Sequence, residues 1–180
     1  VRLYNNFIGN LNATATANAD GVRGIMNLAA SSSSIGIYFN TIYLNGTSTG
    51  TGFGNTGIYH TTSTTATTGA LDMRNNIVYN SSTPTGAGRA VAYRRSSTTL
   101  TNFTNASNNN LYYVAAGANN HIYSDGTNHL GLVAYKALGG IAPRETNSQE
   151  ENVAFQSTTG SDAAFLKVST GAPTLVEGGA

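Results

Sequence analysis

The chain has 180 residues and a net charge of +1, and only 9% of its residues are charged, against about a quarter in an average soluble protein. So few scattered cations leave no electrostatic footprint for nucleic acid or for insertion into an anionic membrane, and the absence of cysteine excludes disulfides and thiolate metal sites. Asn, Thr and Ser number 22, 25 and 16, yet apolar residues still make up 39% and include ten Tyr, unlike the low-hydrophobicity, high-charge composition of disordered chains.

Val1 to Asn10 reads as a first strand pair, with Val1, Leu3 and Ile8 expected to point inward. An Ala/Thr/Asn loop follows, then a strand over Gly21 to Leu28 and a small polar turn over Ala29 to Ser34. Alternation places Ile35, Ile37 and Phe39 on one face, and Ile42 and Leu44 point in again after Asn40. Leu71 and Met73 take the places of Ile35 and Ile37, while Asp72 and Arg74 form a solvent-side charge pair. Tyr112 and Val114 match Ile42 and Leu44, and Ser124 to Asn128 is a turn signal. Leu130, Val133, Ala134 and Ala137 recur at helical spacing, which predicts a short helix over Leu130 to Leu138 ended by Gly139-Gly140. Beyond it lies an irregular connector, with Val153-Ala154-Phe155 and Ala164-Phe165-Leu166 as apolar anchors. The residues from Ala172 stop without a closing element.

Two strand series share one period. Corner asparagines Asn6, Asn40, Asn76 and Asn110 are separated by 34, 36 and 34 residues. Ile25, Ile58, Val91 and Ile122 follow at 33, 33 and 31. A common period near a third of a hundred residues marks a coil repeated along an axis. The expected fold is all-β: a right-handed parallel β-helix of about four to five coils over 1–128, with a short C-terminal capping helix and irregular tail over 129–180 packing on or extending the solenoid. Coils stack about 4.8 Å apart, so Asn6, Asn40, Asn76 and Asn110 are expected to form an amide ladder, as identical side chains do in stacked strands. The uncovered N-terminal coil is expected to meet preceding chain or another subunit, because an open strand edge invites pairing. With Val1-Arg2-Leu3 already inside a strand pattern, the chain reads as part of a larger protein.

The Asn75-Asn76-Ile77 corner and the Gly57-Ile58-Tyr59 strand resemble right-handed parallel β-helix domains of the pectin-lyase-like type. The tail adds Leu132-Val133-Ala134-Tyr135-Lys136, Asn147-Ser148, Phe155, Phe165-Leu166, Ala172-Pro173 and Gly178-Gly179. Together these are similar to β-helix regions of large secreted or cell-surface proteins of gliding-type Gram-negative bacteria, many exported by the type IX system. The resemblance implies an extracellular scaffold whose chain continues past this tail. Pectin-lyase-like enzymes act on acidic polysaccharides through clustered carboxylates. Here Asp20, Asp72 and Asp125 occupy unmatched positions in the repeats, so the paired carboxyls that glycoside hydrolysis needs are not expected.

The remaining candidates are weaker. His60, His121 and His129 lack metal-ligand spacing, and Asp125 to Asn128 lacks the later acids of a calcium loop, so neither metal nor cofactor is expected. Arg89, Arg94 and Arg95 read as a solvated strand end. Asn12, Asn45 and Asn80 begin sequons that follow their corner asparagines by 6, 5 and 4 residues, which makes them candidate glycosylation sites along one edge. The leading expectation is a non-enzymatic extracellular structural or adhesive segment, partnered by neighbouring coils or by identical subunits end to end. A carbohydrate-binding module, with Tyr38, Tyr43, Tyr59, Tyr79 or Tyr113 as platforms for surface glycans, or a degenerate polysaccharide-lyase-like domain, is the alternative. Ice binding by the Thr runs is a further, weaker one, because Thr14 and Thr16 match Thr47 and Thr49 but nothing one coil later.

Overall fold

Short runs of Ile, Val, Leu and Tyr fill a pleated surface well, and the Gly-, Ser- and Thr-rich segments between them turn the chain. In the computed structural model, which describes residues 1–28, 31–171 and 175, these runs become strands of successive coils. The first coil carries β1 (Arg2–Tyr4), β2 (Phe7–Ile8) and β3 (Val22–Asn27). The second carries β4 (Ser34–Tyr38), β5 (Thr41–Leu44) and β6 (Asn55–His60). The third carries β7 (Ala70–Arg74), β8 (Ile77–Asn80) and β9 (Ala90–Arg95). The fourth keeps β10 (Leu111–Val114) and β11 (Asn120–Ser124). It meets the first sheet through isolated pairings of Leu71 with Phe103 and Arg74 with Asn108 and through Ser107, whose hydroxyl accepts from Met73 N.

Strands at the same place in each coil pair in parallel, in the orders β1-β4-β7, β2-β5-β8-β10 and β3-β6-β9-β11. The protein is therefore a parallel β-solenoid of about four coils. Its bore is filled in register: Ile37 faces Met73, and Ile42 stacks on Val78 and Val78 on Tyr112. All five are buried. Fully burying one such aliphatic side chain is worth about 1.5–3 kcal/mol, and one coil alone has nothing to bury it against.

The C-terminal end is closed. After β11, β12 (His129–Leu130) folds back antiparallel, α1 (Leu132–Ala137) follows, and β13 (Gln149–Glu150) adds to β10 in parallel. Tyr135 of α1 lies flat on Tyr123, with ring centroids 4.2 Å apart and planes inclined by 7°. Six residues are too few for an independently stable helix. Gly131 offers no side-chain cap, so burial of Leu132 and Tyr135 holds α1 in place.

Several expectations need correction. Phe39 is not a core residue: it adopts φ 55° and is 58% exposed. The left-handed conformation at the corner turns its side chain away from the bore. Val1 is exposed as well. In the second strand series, Ile58 aligns with Tyr93 rather than Val91, and Val91 aligns with His121 rather than Ile122. Spacing between isoleucines alone missed this slip, because a large aromatic has replaced the aliphatic at the same station. The helix is shorter than expected at both ends, since His129 and Leu130 pair with Ser124 and Tyr123. The expected loose end over 172–180 lies outside the described residues except at Leu175, as do residues 29 and 30 of the turn before β4.

Candidate functional site

The corner between the first two strands of each coil is built by two adjacent residues. Asn5, Phe39, Asn75 and Asn109 take positive φ values of 57°, 55°, 56° and 58°, a region that asparagine tolerates better than other side-chain-bearing residues. The next residue is Asn6, Asn40, Asn76 or Asn110, and its carboxamide links the coils. Asn40 Oδ1 accepts the Asn6 amide at 3.2 Å and its Nδ2 at 2.8 Å. Asn76 Oδ1 accepts from Asn40 at 3.0 and 3.1 Å, and Asn110 Oδ1 from Asn76 at 3.1 and 2.9 Å. Each inner Nδ2 also donates to a main-chain carbonyl of the coil before: Leu3, Ile37 and Met73. Asn40, Asn76 and Asn110 are buried, where an unpaired amide would cost about 1–3 kcal/mol.

This ladder has a direction. Each engaged Oδ1 faces the preceding coil, so among the described residues the series begins with the unengaged carbonyl of Asn6. It ends on residues that the spacing of asparagines missed. The Asn110 amide donates to Ser148 Oγ at 2.9 Å, and Ser148 Oγ donates to Glu145 Oε2 at 2.5 Å. Asn110 Nδ2 and Tyr112 Oη donate to the same carboxyl at 3.2 Å each. Glu145 is fully buried. Burial pushes its pKa up to about 7, against the lowering pull of those hydrogen bonds and of the Lys136 charge. In register, Asn147-Ser148 follows Asn109-Asn110 with serine in the second place, although Asn147 does not take the positive φ of the earlier corners.

A second polar cluster lies inside the bore. Arg95 donates to His60 Nδ1 at 2.6 Å and to the Tyr93 hydroxyl at 3.0 Å from Nη1, and to Thr99 O and Asn102 Oδ1 from Nη2. Its guanidinium lies over the Phe103 ring at 5.3 Å. Burial and the Arg95 charge lower the His60 pKa to about 3, so His60 is neutral. Of the three arginines expected on a solvated strand end, Arg95 thus points inward.

The candidate sugar platforms are half-buried, and each has an aromatic or charged neighbour. Tyr43, Tyr79 and Tyr113 stack on one another at 5.1 and 4.5 Å, and Phe155 of the tail packs against Tyr43 and Tyr79 at 86° and 70°. Arg23 sits over the Tyr59 ring at 4.2 Å, and Tyr38 donates to Asp72 beside Arg74. Asn12 and Asn45 are exposed and close together at the margin of one surface groove. Asn80 is not available for a glycan: it is buried, and its amide is held by Asn55 Oδ1 and Val91 O. It aligns with Leu44 rather than Asn45, so the expected row of three acceptors does not form.

The two ends differ. At the N-terminal end β1, β2 and β3 each present an open edge, with Tyr4, Phe7, Met26 and Leu28 exposed around them. At the other end β12, α1 and β13 cover the last coil. A groove of about 560 Å³ between the corner and the tail is lined by Phe7, Phe39, Ile77, Leu111, Leu166 and Lys167. Among the described residues no group of three or more His, Cys, Asp or Glu side chains gathers as a metal site, and no helix is long and apolar enough to cross a membrane.

No protein-family model matches this chain, and no curated protein or solved structure matches it either.

Proposed function

We propose that the chain is a non-enzymatic extracellular structural or adhesive segment, a rigid solenoid that is extended at its N-terminal face by a further coil of the same kind. The observation that carries this reading is the polarity of the amide ladder: Asn6 offers an unengaged Oδ1 at the open end, while Ser148 and Glu145 close the other. A parallel coil supplied in cis would present its corner N–H and Nδ2 to that oxygen, whereas the closed C-terminal end of an identical subunit would not. Two N-terminal faces meeting head to head would instead oppose carbonyl to carbonyl, so the ladder selects parallel stacking. The low charge, the abundance of Thr and Asn and the resemblance to β-helix regions of type IX secretion substrates support an extracellular setting.

The direct test is to graft a copy of residues 35–70 ahead of Val1, because Arg2 and Leu3 pair with Gly36 and Ile37 as those pair with Asp72 and Met73. The expected result is slowed hydrogen exchange in both the added coil and Leu3 to Ile8, with a higher Tm. An added coil that exchanges like unfolded chain would sink the proposal. Antibody labelling of intact producing cells tests the location, and labelling only after lysis would contradict it.

A further inference from the structure

Basic side chains from the third and fourth coils and from the returning strand meet on the flank of the third sheet. His121 of β11 lies in register with Val91 of β9, and His129 of β12 pairs with Ser124. The two imidazole centroids are 5.3 Å apart with planes inclined by 31°. The Ser124 hydroxyl lies 3.0 Å from His129 Nδ1, which orients the ring and leaves Nε2 uncommitted. Among the described residues His121 has no hydrogen-bond partner. Arg89, immediately before β9, has a buried Nε without a partner, and its Nη1 reaches only Ala87 O at 3.4 Å. A buried donor left unmatched calls for an explanation.

The nearby acids are already engaged. Asp20 is shared by Arg23 at 2.6 Å, Arg94 at 3.6 Å and the Thr56 hydroxyl at 2.7 Å. Asp125 accepts from the Thr127 and Asn128 amides, from the Asn128 side chain and from the Tyr123 hydroxyl. Two close imidazoles would ordinarily suggest a transition-metal chelate. Here the surrounding field argues the other way. Burial lowers the pKa of both rings, and so do their cationic neighbours: His129 and Arg89 act on His121, and Arg89 and Arg94 act on His129, where Asp125 opposes them in part. Charges that repel a proton repel a metal dication more strongly and attract an anion.

We propose that Arg89, His121 and His129 form a binding site for a tetrahedral oxyanion, the sulfate or phosphate group of an acidic ligand. The guanidinium supplies its terminal Nη donors and a permanent charge. Each imidazole supplies one N–H donor when neutral and a second with a positive charge when protonated. Binding therefore tightens as the solution is acidified, and the bound anion raises both imidazole pKa values. The site needs neither an enzymatic activity nor the stacking of further coils, so it stands apart from the proposal above.

The test is an NMR titration of the imidazole Cε1–H resonances in the full chain with sodium sulfate, with sodium chloride at matched ionic strength as control. At about pH 5.5, sulfate should shift His121 and His129 saturably, and at about pH 7.5 more weakly, with buried His60 silent at both. Arg89→Gln should weaken sulfate binding about tenfold, the loss of a charge-assisted donor, and His121→Gln should remove much of the pH dependence. Tighter binding of a sulfated disaccharide than of inorganic sulfate assigns the ligand to an ester, and equal binding assigns it to the free ion. Equal shifts in chloride, an unaltered affinity in both variants, or saturation by zinc at lower concentration than by sulfate overturns the assignment.

Discussion

Ser148 Oγ accepts the Asn110 amide at 2.9 Å, filling the place that Asn40, Asn76 and Asn110 fill for the coil before each of them. The substitution converts a repeating link into a terminus, because a hydroxyl passes its one proton to Glu145 and has no second N–H to hand onward.

The ladder is therefore expected to be strong inside and weak at its open end. Asn76→Ala strips partners from the Asn40 amide and from Ile37 O, both in the interior, while Asn40 Nδ2 keeps Leu3 O and Tyr38 O. At about 1–3 kcal/mol for each buried group left unpaired, partly relieved by relaxation, the loss should be about 3–5 kcal/mol. Asn6→Ala leaves only the half-buried outermost rung incomplete and should cost under about 1 kcal/mol. Urea denaturation of the two variants checks this. Equal losses would mean that the amides follow the corner rather than build it.

Period and corner were readable in the sequence because each coil must return its backbone to the same station, which repeats the constraint at Asn6, Asn40, Asn76 and Asn110. The closing elements were less legible, since they occur once. Glu145 stood in an irregular connector, and only the position of Ser148 under Asn110 brings it into the bore. Tyr93 was also missed at the station of Ile58, because an aromatic there replaces the aliphatic residue whose spacing marked the series. Arg89 and His121 are 32 positions apart in the chain, so their convergence depends on register that the asparagine corners alone do not specify for the third sheet.

Phe39 sits where Asn5, Asn75 and Asn109 occupy the other coils, with φ 55° and 58% exposure. A left-handed conformation costs a non-glycine residue about 1–2 kcal/mol, and asparagine relieves part of it through local hydrogen bonding. Its backbone bond to Arg74 O is independent of the side chain. Phe39→Asn should therefore raise stability by about 0.5–1 kcal/mol, read as a higher denaturation midpoint with unchanged slope. A destabilised variant would show that the ring's contacts along the groove outweigh the backbone strain.

Gly57 shows the opposite constraint. A Cβ built there would lie 2.4 Å from Val78 Cγ1 and 2.6 Å from Ala92 O, so the third sheet approaches the second too closely for any side chain. Backbone can yield little at that distance, and overpacking of this kind costs about 1–3 kcal/mol or more. Gly57→Ala should lower stability by at least that amount, whereas Gly131→Ala, with nothing within 4 Å of its Cβ, should be close to neutral. Thermal melts of the pair separate crowding from a general intolerance of alanine.

Two buried groups set the pH dependence, with opposite signs. Glu145 has a folded pKa raised by burial from 4.5 to about 7, so the unfolded chain releases its proton first. The stability it supports is complete below about pH 4.5 and is lost as the pH rises through 7, by about 3 kcal/mol at most. His60 has a folded pKa lowered by burial and Arg95 from 6.5 to about 3. Its share is complete above about pH 6.5 and is lost as the pH falls toward 3, by about 5 kcal/mol at most. Between these limits the two slopes largely cancel, and the chain should show a broad, shallow optimum in mildly acidic solution. Glu145→Gln removes one slope while keeping a neutral side chain that both donates and accepts. The variant should match or exceed the parent at about pH 8 and should lose stability steadily as the pH falls below about 6.5. Denaturation midpoints measured across that range would contradict the burial of an ionisable Glu145 if parent and variant traced parallel curves.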